Sequence, residues 1–282
     1  MTASLILIAF VAAIVNGALG YGFSSIAVPL ALLLIDNRVL TPALVLLEIV
    51  LNAYVLWVNR ASVPQVWRRA GFVVIGIAPG VALGTSLLTR VEPSMLKLAT
   101  LLGLLPLLLL QVAGFRRALR AERAASVALG GGVGALYAIT TISGPPLAMF
   151  LNNQGYATKQ DFRAALGLIR SAECILATAF YARAGLFTPA SVLLLITIVP
   201  GVFLGVPFGA WLIRRVREES FRRVCMTFDA AIVAFGASTL LRSMNVVDSA
   251  VAYLLFAVVL AFDAVVLFRL FRAPRGRVPQ WA

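Results

Sequence analysis

The sequence contains no histidine. That absence removes His-ligated haem, the histidine-containing zinc-protease motifs and any hydrolase whose serine relies on a histidine base. Cysteine is nearly as scarce. Cys174 and Cys225 are the only two, they lie in or beside apolar runs, and they form no metal-like spacing. They read as small buried hydrophobes, and neither a metal nor a cofactor is expected. The G-x-x-x-x-G-K-[ST] loop is missing, so direct ATP coupling within this chain has no site. Also missing are the paired Gly-x-Gly-Asp and Tyr-Asp aspartates of intramembrane proteases, and the chain is not expected to be an enzyme. Acidic residues number 11 against 24 basic ones. An excess of +13 is compatible with nucleic acid, but the arginines stand in short clusters between apolar runs. That is the pattern of loops beside anionic lipid, so the expected partner is membrane lipid and not nucleic acid.

What is abundant is hydrocarbon. The 282 residues are 61% hydrophobic, with a mean hydropathy of +0.98. Successive apolar runs are each long enough for the roughly 20 residues that cross a bilayer core. The expected fold class is therefore an all-α integral membrane protein. The N-terminus has no basic leader and its apolar run is too long for a signal peptide, so it reads as mature structure. Two of the runs are interrupted. In Asn16–Pro29 (NGALGYGFSSIAVP) the apolar pattern is broken by Gly17, Gly20, Gly22, Ser24, Ser25 and Pro29, and Gly134–Pro146 (GALYAITTISGPP) repeats the device. Backbone polar groups in hydrocarbon must find partners, so an unwound segment persists only inside protein or beside a polar cavity. Apolar segments follow the first break at about 39–58, 70–88 and 94–113. The second break lies in about 125–151, and further segments lie at about 164–182, 188–212, 224–241 and 246–268.

The chain divides into two related halves. Gly17-Ala18-Leu19 matches Gly134-Ala135-Leu136, and Pro29-Leu30-Ala31 matches Pro146-Leu147-Ala148 at the same offset. Pro79-Gly80-Val81-Ala82-Leu83-Gly84 matches Pro200-Gly201-Val202-Phe203-Leu204-Gly205 in the same order. If both broken stretches crossed the membrane, the loop Lys and Arg would divide with only a modest excess on one side. If the second dips in and returns, they concentrate on one side, as the positive-inside rule prefers. The first then re-enters by analogy. Residues 1–115 become the first transmembrane repeat, 116–124 a cytoplasmic linker and 125–242 the second repeat. Residues 246–268 form an extra C-terminal crossing helix and 269–282 a basic cytoplasmic tail. Each repeat opens with a broken re-entrant helix followed by three crossings, and an odd number of crossings makes the two repeats inverted.

With these motifs, the sequence resembles the TauE/SafE sulfite exporter family, also called the toluene sulfonate uptake permease family. The resemblance rests on Gly17-x-x-Gly20-x-Gly22 leading to Pro29-Leu30, on Ser143-Gly144-Pro145-Pro146, and on the Pro-Gly-Val-x-Leu-Gly turn of each half. It extends to about residue 241. In the second half, Tyr137 and Ile139 stand in place of Gly20 and Gly22, a departure from strict symmetry. The resemblance implies a carrier of a small anion such as sulfite, sulfoacetate or another sulfonate. The implied place is the bacterial inner membrane, multi-pass, with the C-terminus cytoplasmic and the N-terminus periplasmic.

An anion at the membrane midplane loses several kcal/mol of hydration. A helix N-terminus returns at best about 2 kcal/mol, so hydroxyl donors and a fixed cation are needed as well. Ser24 and Ser25 after the first break, and Thr140, Thr141 and Ser143 at the second, supply hydroxyls that either contact a ligand or cap their own freed backbone. Gly22 and Gly144 let backbone N–H groups approach a ligand, while Tyr21 and Phe23 either wall the pocket or pack. Arg170 is the candidate cation, because its fork suits sulfonate oxygens and an arginine within an apolar segment is costly. The alternatives for it are an ion pair with Glu173 one turn on, or snorkelling. Glu48, with Asn52 a turn later, either pairs with Arg170 across the repeat axis or takes a proton during transport. Asp229 and Asp263, nearer segment ends, are expected to be solvated or paired with loop arginines. A secondary transporter with alternating access is the favoured reading, and an anion channel of the same fold is the alternative. The coupling ion is left open, a proton being one choice. A homodimer is open too, because small helix-face residues pack within one chain or between two.

Overall fold

The computed structural model describes residues 2–19, 22–112, 123–152, 158–215, 218–244, 247 and 249–272, and among these the only regular structure is helical. In chain order the helices are α1 (Thr2–Leu19), α2 (Phe23–Leu32), α3 (Asn37–Val58), α4 (Val63–Arg90, after a 3₁₀ turn at Arg60–Ser62) and α5 (Pro93–Val112). They continue with α6 (Arg123–Thr140), α7 (Gly144–Asn152), α8 (Lys159–Arg183), α9 (Pro189–Leu212), α10 (Glu218–Ser243), α11 (Ser249–Ala252) and α12 (Leu254–Arg272). Four spans are long and apolar enough to cross a membrane: Asn37–Val58, Arg60–Arg90, Gln160–Arg183 and Pro189–Leu212. Shorter apolar helices lie at Thr2–Ala18, Phe23–Leu32, Pro93–Pro106 and Leu254–Phe268, and α2 and α7 are half-length, with ten and nine residues. The last apolar run is not one helix from 246, because α11 and α12 divide it.

Local chemistry sets the ends of these elements. Thr158 and Asp161 form a capping box on α8, and Thr188 and Ser191 form another on α9, whose first residue is Pro189. Glu92 accepts from the Met95 N–H at 2.9 Å and from the Ser94 hydroxyl at 3.0 Å at the start of α5. Those bonds, the Met95 amide foremost, hold its carboxyl below the usual range. Arg38 donates to the carbonyls of Leu88, Thr89 and Val91, closing the C-terminal end of α4.

Small residues decide how the long helices meet. Gly76, Gly80 and Gly84 line one face of α4, and a Cβ on any of them would overlap backbone of α6 at Val127, Gly131 or Ala135. Gly201, Gly205 and Gly209 do the same on α9 against Ile6, Phe10 and Ile14 of α1. Without a hydrophobic drive between helices in lipid, such close backbone contact is what dispersion forces can use. Hence α4 packs on α6 and α1 on α9, while α3 and α8 cross between them and α5 packs on α10. Outward faces keep large apolar side chains, such as Val50, Tyr54 and Trp57 on α3 and Ile196, Phe203 and Leu204 on α9.

Two sequence expectations need correction. The first concerns register. Gly17 lies in the last turn of α1, whereas Gly134 lies nearly two turns before the end of α6; likewise Pro29 is deep in α2 and Pro146 is in the first turn of α7. The tripeptide matches are thus one helical turn out of step with the breaks, whereas the Pro79 and Pro200 motifs stay in step with them. The reason is that glycine and proline recur on several turns of these helices, so a one-turn slip still matches. The second concerns Asp229 and Asp263, which are fully and almost fully buried, with no hydrogen-bond partner for either oxygen among the described residues. Segment ends inferred from charge gave too shallow a position for both.

Candidate functional site

At both breaks the described residues bring hydroxyls into the interior. After α1, Gly22 adopts a left-handed conformation (φ 96°) and leads straight into α2 with no side-chain cap, leaving Phe23, Ser24 and Ser25 in the first turn, all buried. After α6, Thr141 takes φ 56° and Ser143 precedes α7, which begins at Gly144-Pro145-Pro146. Proline is tolerated there because a first-turn N–H has no helical partner to lose.

Both turns reach one buried network between α3 and α8. Ser24 donates a short hydrogen bond to Glu48 Oε1. Arg170 Nη2 lies 2.7 Å from that oxygen, its Nε donates to Asn52 Oδ1 at 3.1 Å, and its Nη1 reaches Ser143 Oγ at 3.4 Å. The Ser143 hydroxyl donates to Glu173 Oε2 at 2.5 Å. Tyr137 donates to Glu48 Oε2 at 2.9 Å and touches Cys174 Sγ at 3.0 Å, and Asn52 Nδ2 donates to the same sulfur at 3.3 Å. Tyr181 closes the far edge by donating to the Ala138 carbonyl. Every one of these side chains is buried, Arg170 with only 4% of its surface exposed. A charged cluster this deep holds together because each charge finds an opposite charge or a hydrogen-bond donor.

Several sequence candidates therefore meet at one point: Ser24, Glu48, Asn52, Ser143 and Arg170. The i+3 pairing of Arg170 with Glu173 does not form, since the guanidinium turns to Glu48 and Asn52 while Glu173 takes the serine of the second break. Its other oxygen, Oε1, has no partner among the described residues. Thr140 and Thr141 serve their own backbone: Thr140 Oγ1 donates to the Leu136 carbonyl at 2.7 Å and accepts from the Ile142 N–H at 2.9 Å, and Thr141 Oγ1 donates to the Thr140 carbonyl at 2.7 Å. Ser25 and Phe23 are buried beside the network without joining it, Gly22 shapes the first turn, and Gly144 is the first residue of α7. Tyr21 lies outside the described residues, as does nearly all of the basic linker.

Tyr137 and Cys174 are network members that sequence reasoning did not assign. Tyr137 had only a false signal, because the departure from glycine symmetry that marked it disappears once the one-turn slip is corrected. Cys174 had none, because one cysteine in an apolar segment looks like packing. A separate cavity of about 710 Å³ opens between α1, α3 and α9, lined by residues including Asn16, Leu47, Tyr54, Asn59, Arg163 and Phe203. It passes beside Glu48 and Asn52 through their neighbours Leu47 and Leu51 and does not reach the sealed network.

Chemically, this is two half-helix N-termini, two serines and one arginine, countered by two carboxylates. Comparison with curated proteins and with solved structures returned no match. The sequence model of the sulfite exporter TauE/SafE family matches residues 5–236, ending within α10 and leaving α11 and α12 outside. Such a match covers most of the chain, which therefore belongs to the sulfite exporter TauE/SafE family of membrane transporters, exporters of sulfite or related anions.

Proposed function

We propose that this chain is a secondary transporter that moves a small sulfur-containing or organic anion, such as sulfite, sulfoacetate or another sulfonate, across the bacterial inner membrane by alternating access. The observation that carries this reading is that both breaks deliver a serine, Ser24 and Ser143, to the network that holds Arg170. The positive ends of α2 and α7 face that network too, and an anion stripped of water needs such donors together with a fixed cation. The anion-binding set is Ser24, Ser143 and Arg170 with the backbone at Gly22 and Gly144, while Glu48 and Asn52 hold the guanidinium in place.

The packing supports an inverted-repeat plan. α1 with α9 and α6 with α4 are the same partnership with the halves exchanged, each sealed by a glycine stripe, on α9 in the one pair and on α4 in the other. On this plan α1–α2 and α6–α7 are re-entrant, the N-terminus is periplasmic, and the clusters near Arg60, Arg68 and Arg69 and in the tail are cytoplasmic. A sealed network favours a carrier caught between openings over a channel, which needs a continuous wet path.

Counterflow in proteoliposomes tests the proposal. Vesicles loaded with unlabelled sulfite or sulfoacetate are expected to accumulate the labelled anion transiently and with saturation. Flux that rises linearly with concentration and ignores the trans anion would identify a channel. No flux with any sulfur anion would contradict the substrate class.

A further inference from the structure

Two carboxylates and one guanidinium lie in this network, and the carboxylates are not held alike. Glu48 receives Arg170, Ser24 and Tyr137. Glu173 is fully buried, receives Ser143 alone, and keeps Oε1 without a partner among the described residues. It nonetheless sits at the N-terminal end of α7, on the one hydroxyl that Arg170 Nη1 also approaches. That spot, between a half-helix N-terminus, a serine hydroxyl and a guanidinium N–H, has the chemistry of an oxyanion position.

Resting on the transport reading above, we infer that the Glu173 carboxylate occupies the position of a substrate oxygen at the start of α7, and that an entering anion displaces it and so drives it to take up one proton. The charge balance requires the proton. Arg170 stays paired with Glu48, the anion takes the place of Glu173 on Ser143 and reaches Nη1 beside it, and a second negative charge left buried nearby has no cation to face. One O–H bond forms, between a Glu173 oxygen and a proton from the water on the side where the anion enters. No bond in the anion changes. Anion and proton then move together, one to one, and the cluster keeps the same net charge full or empty.

The other groups facing Glu173 do not offer an equivalent site. The charged groups that act on Glu173 are Arg170 on α8 and Glu48 on α3, while Tyr137 of α6 and Cys174 of α8 bond to each other on the Glu48 side of the network. α7 contributes Ser143 at its start, and the charged residues of α4 (Arg68, Arg69 and Arg90) lie toward its two ends, with Arg60 in the 3₁₀ turn before it. Glu48 is the nearest rival, and it is already satisfied by three donors.

The test is calorimetric binding of methanesulfonate, whose sulfonate does not titrate near neutrality, to the purified full chain in two buffers of different ionisation enthalpy. The wild type is expected to take up close to one proton per anion, and its apparent Kd to weaken by up to about tenfold per pH unit as pH rises. Glu173→Gln, neutral throughout, is expected to bind with no proton uptake and no pH dependence. Binding to wild type without proton uptake overturns this inference and leaves the transport reading standing, and that result does not depend on any variant folding. Proton uptake that persists in Glu173→Gln also overturns it, placing the proton elsewhere. Failure of the wild type to bind any sulfur anion overturns the transport reading and this inference together.

Discussion

At the scale of the residue, the second break carries a conformation that its side chain resists. Thr141 is β-branched and sits at φ 56°, a region that such residues enter at a cost of about 1–3 kcal/mol. Its hydroxyl partly offsets that by bonding to the Thr140 carbonyl. Thr141→Gly is expected to raise the melting temperature by a few degrees, reflecting about 1 kcal/mol of relieved strain. Thr141→Ala, which keeps the strain and loses the bond, is expected to lower it. Thermal unfolding in detergent checks both, and a destabilised glycine variant would contradict the assignment of strain to this turn. The hydroxyls, the arginine and Glu48 were legible as residue types out of place in an apolar run. Which hydroxyl serves a carboxylate and which its own backbone was not, because that depends on where the helix stops. Thr140 is still helical and Ser143 is already past the turn, and four residues decide between the two roles. That Glu173 does not pair with Arg170 was illegible for a similar reason: i+3 spacing to Arg170 reads as an ion pair until α3 brings a competing carboxylate.

At the scale of the element, glycine stripes set how closely the long helices approach one another. A Cβ at Gly80 would run into the carbonyl of Gly131, so α4 and α6 have to separate before any larger residue fits. Gly80→Ala is expected to destabilise by about 1–3 kcal/mol, as overpacking of a tight contact does. Gly132, on the same helix α6, has open space where a Cβ would go, and Gly132→Ala is expected to change stability by no more than about 0.5 kcal/mol. Melting curves for the two alanine variants provide the comparison; equal effects would mean that the stripe is incidental. The stripe was visible in the sequence as the Pro-Gly-Val-x-Leu-Gly motif of each half, which reads as a turn and proves to lie inside α4 and α9, since a repeated glycine says that something comes close without saying what. The existence of the breaks was legible for the same kind of reason, whereas their register was not, because glycine and proline recurred at one-turn intervals.

At the scale of the whole molecule, the chain is an all-helical membrane protein in which each half contributes a broken helix to one polar centre. Hydropathy and charge patterning gave its class, and the family match over residues 5–236 gives its relatives. The mutual packing of the halves came only with coordinates: α3 and α8 cross at the centre and carry Glu48 and Arg170 to within 2.7 Å of each other. No local pattern encodes a contact between residues 122 positions apart. The centre is also where the reading of the molecule is most exposed to test, because an arginine already paired with a carboxylate could hold the fold and nothing more. The decisive measurement is binding of sulfite, sulfoacetate, taurine and sulfate to the purified protein by thermal shift, beside Arg170→Ala and Arg170→Lys. At least one sulfur anion is expected to stabilise the wild type. Arg170→Ala is expected to abolish that shift and Arg170→Lys, which lacks the planar fork, to weaken it by tenfold or more in apparent affinity, about 1.4 kcal/mol or more. A folded Arg170→Ala protein that responds to the anion as the wild type does would contradict the account and leave Arg170 a structural partner of Glu48.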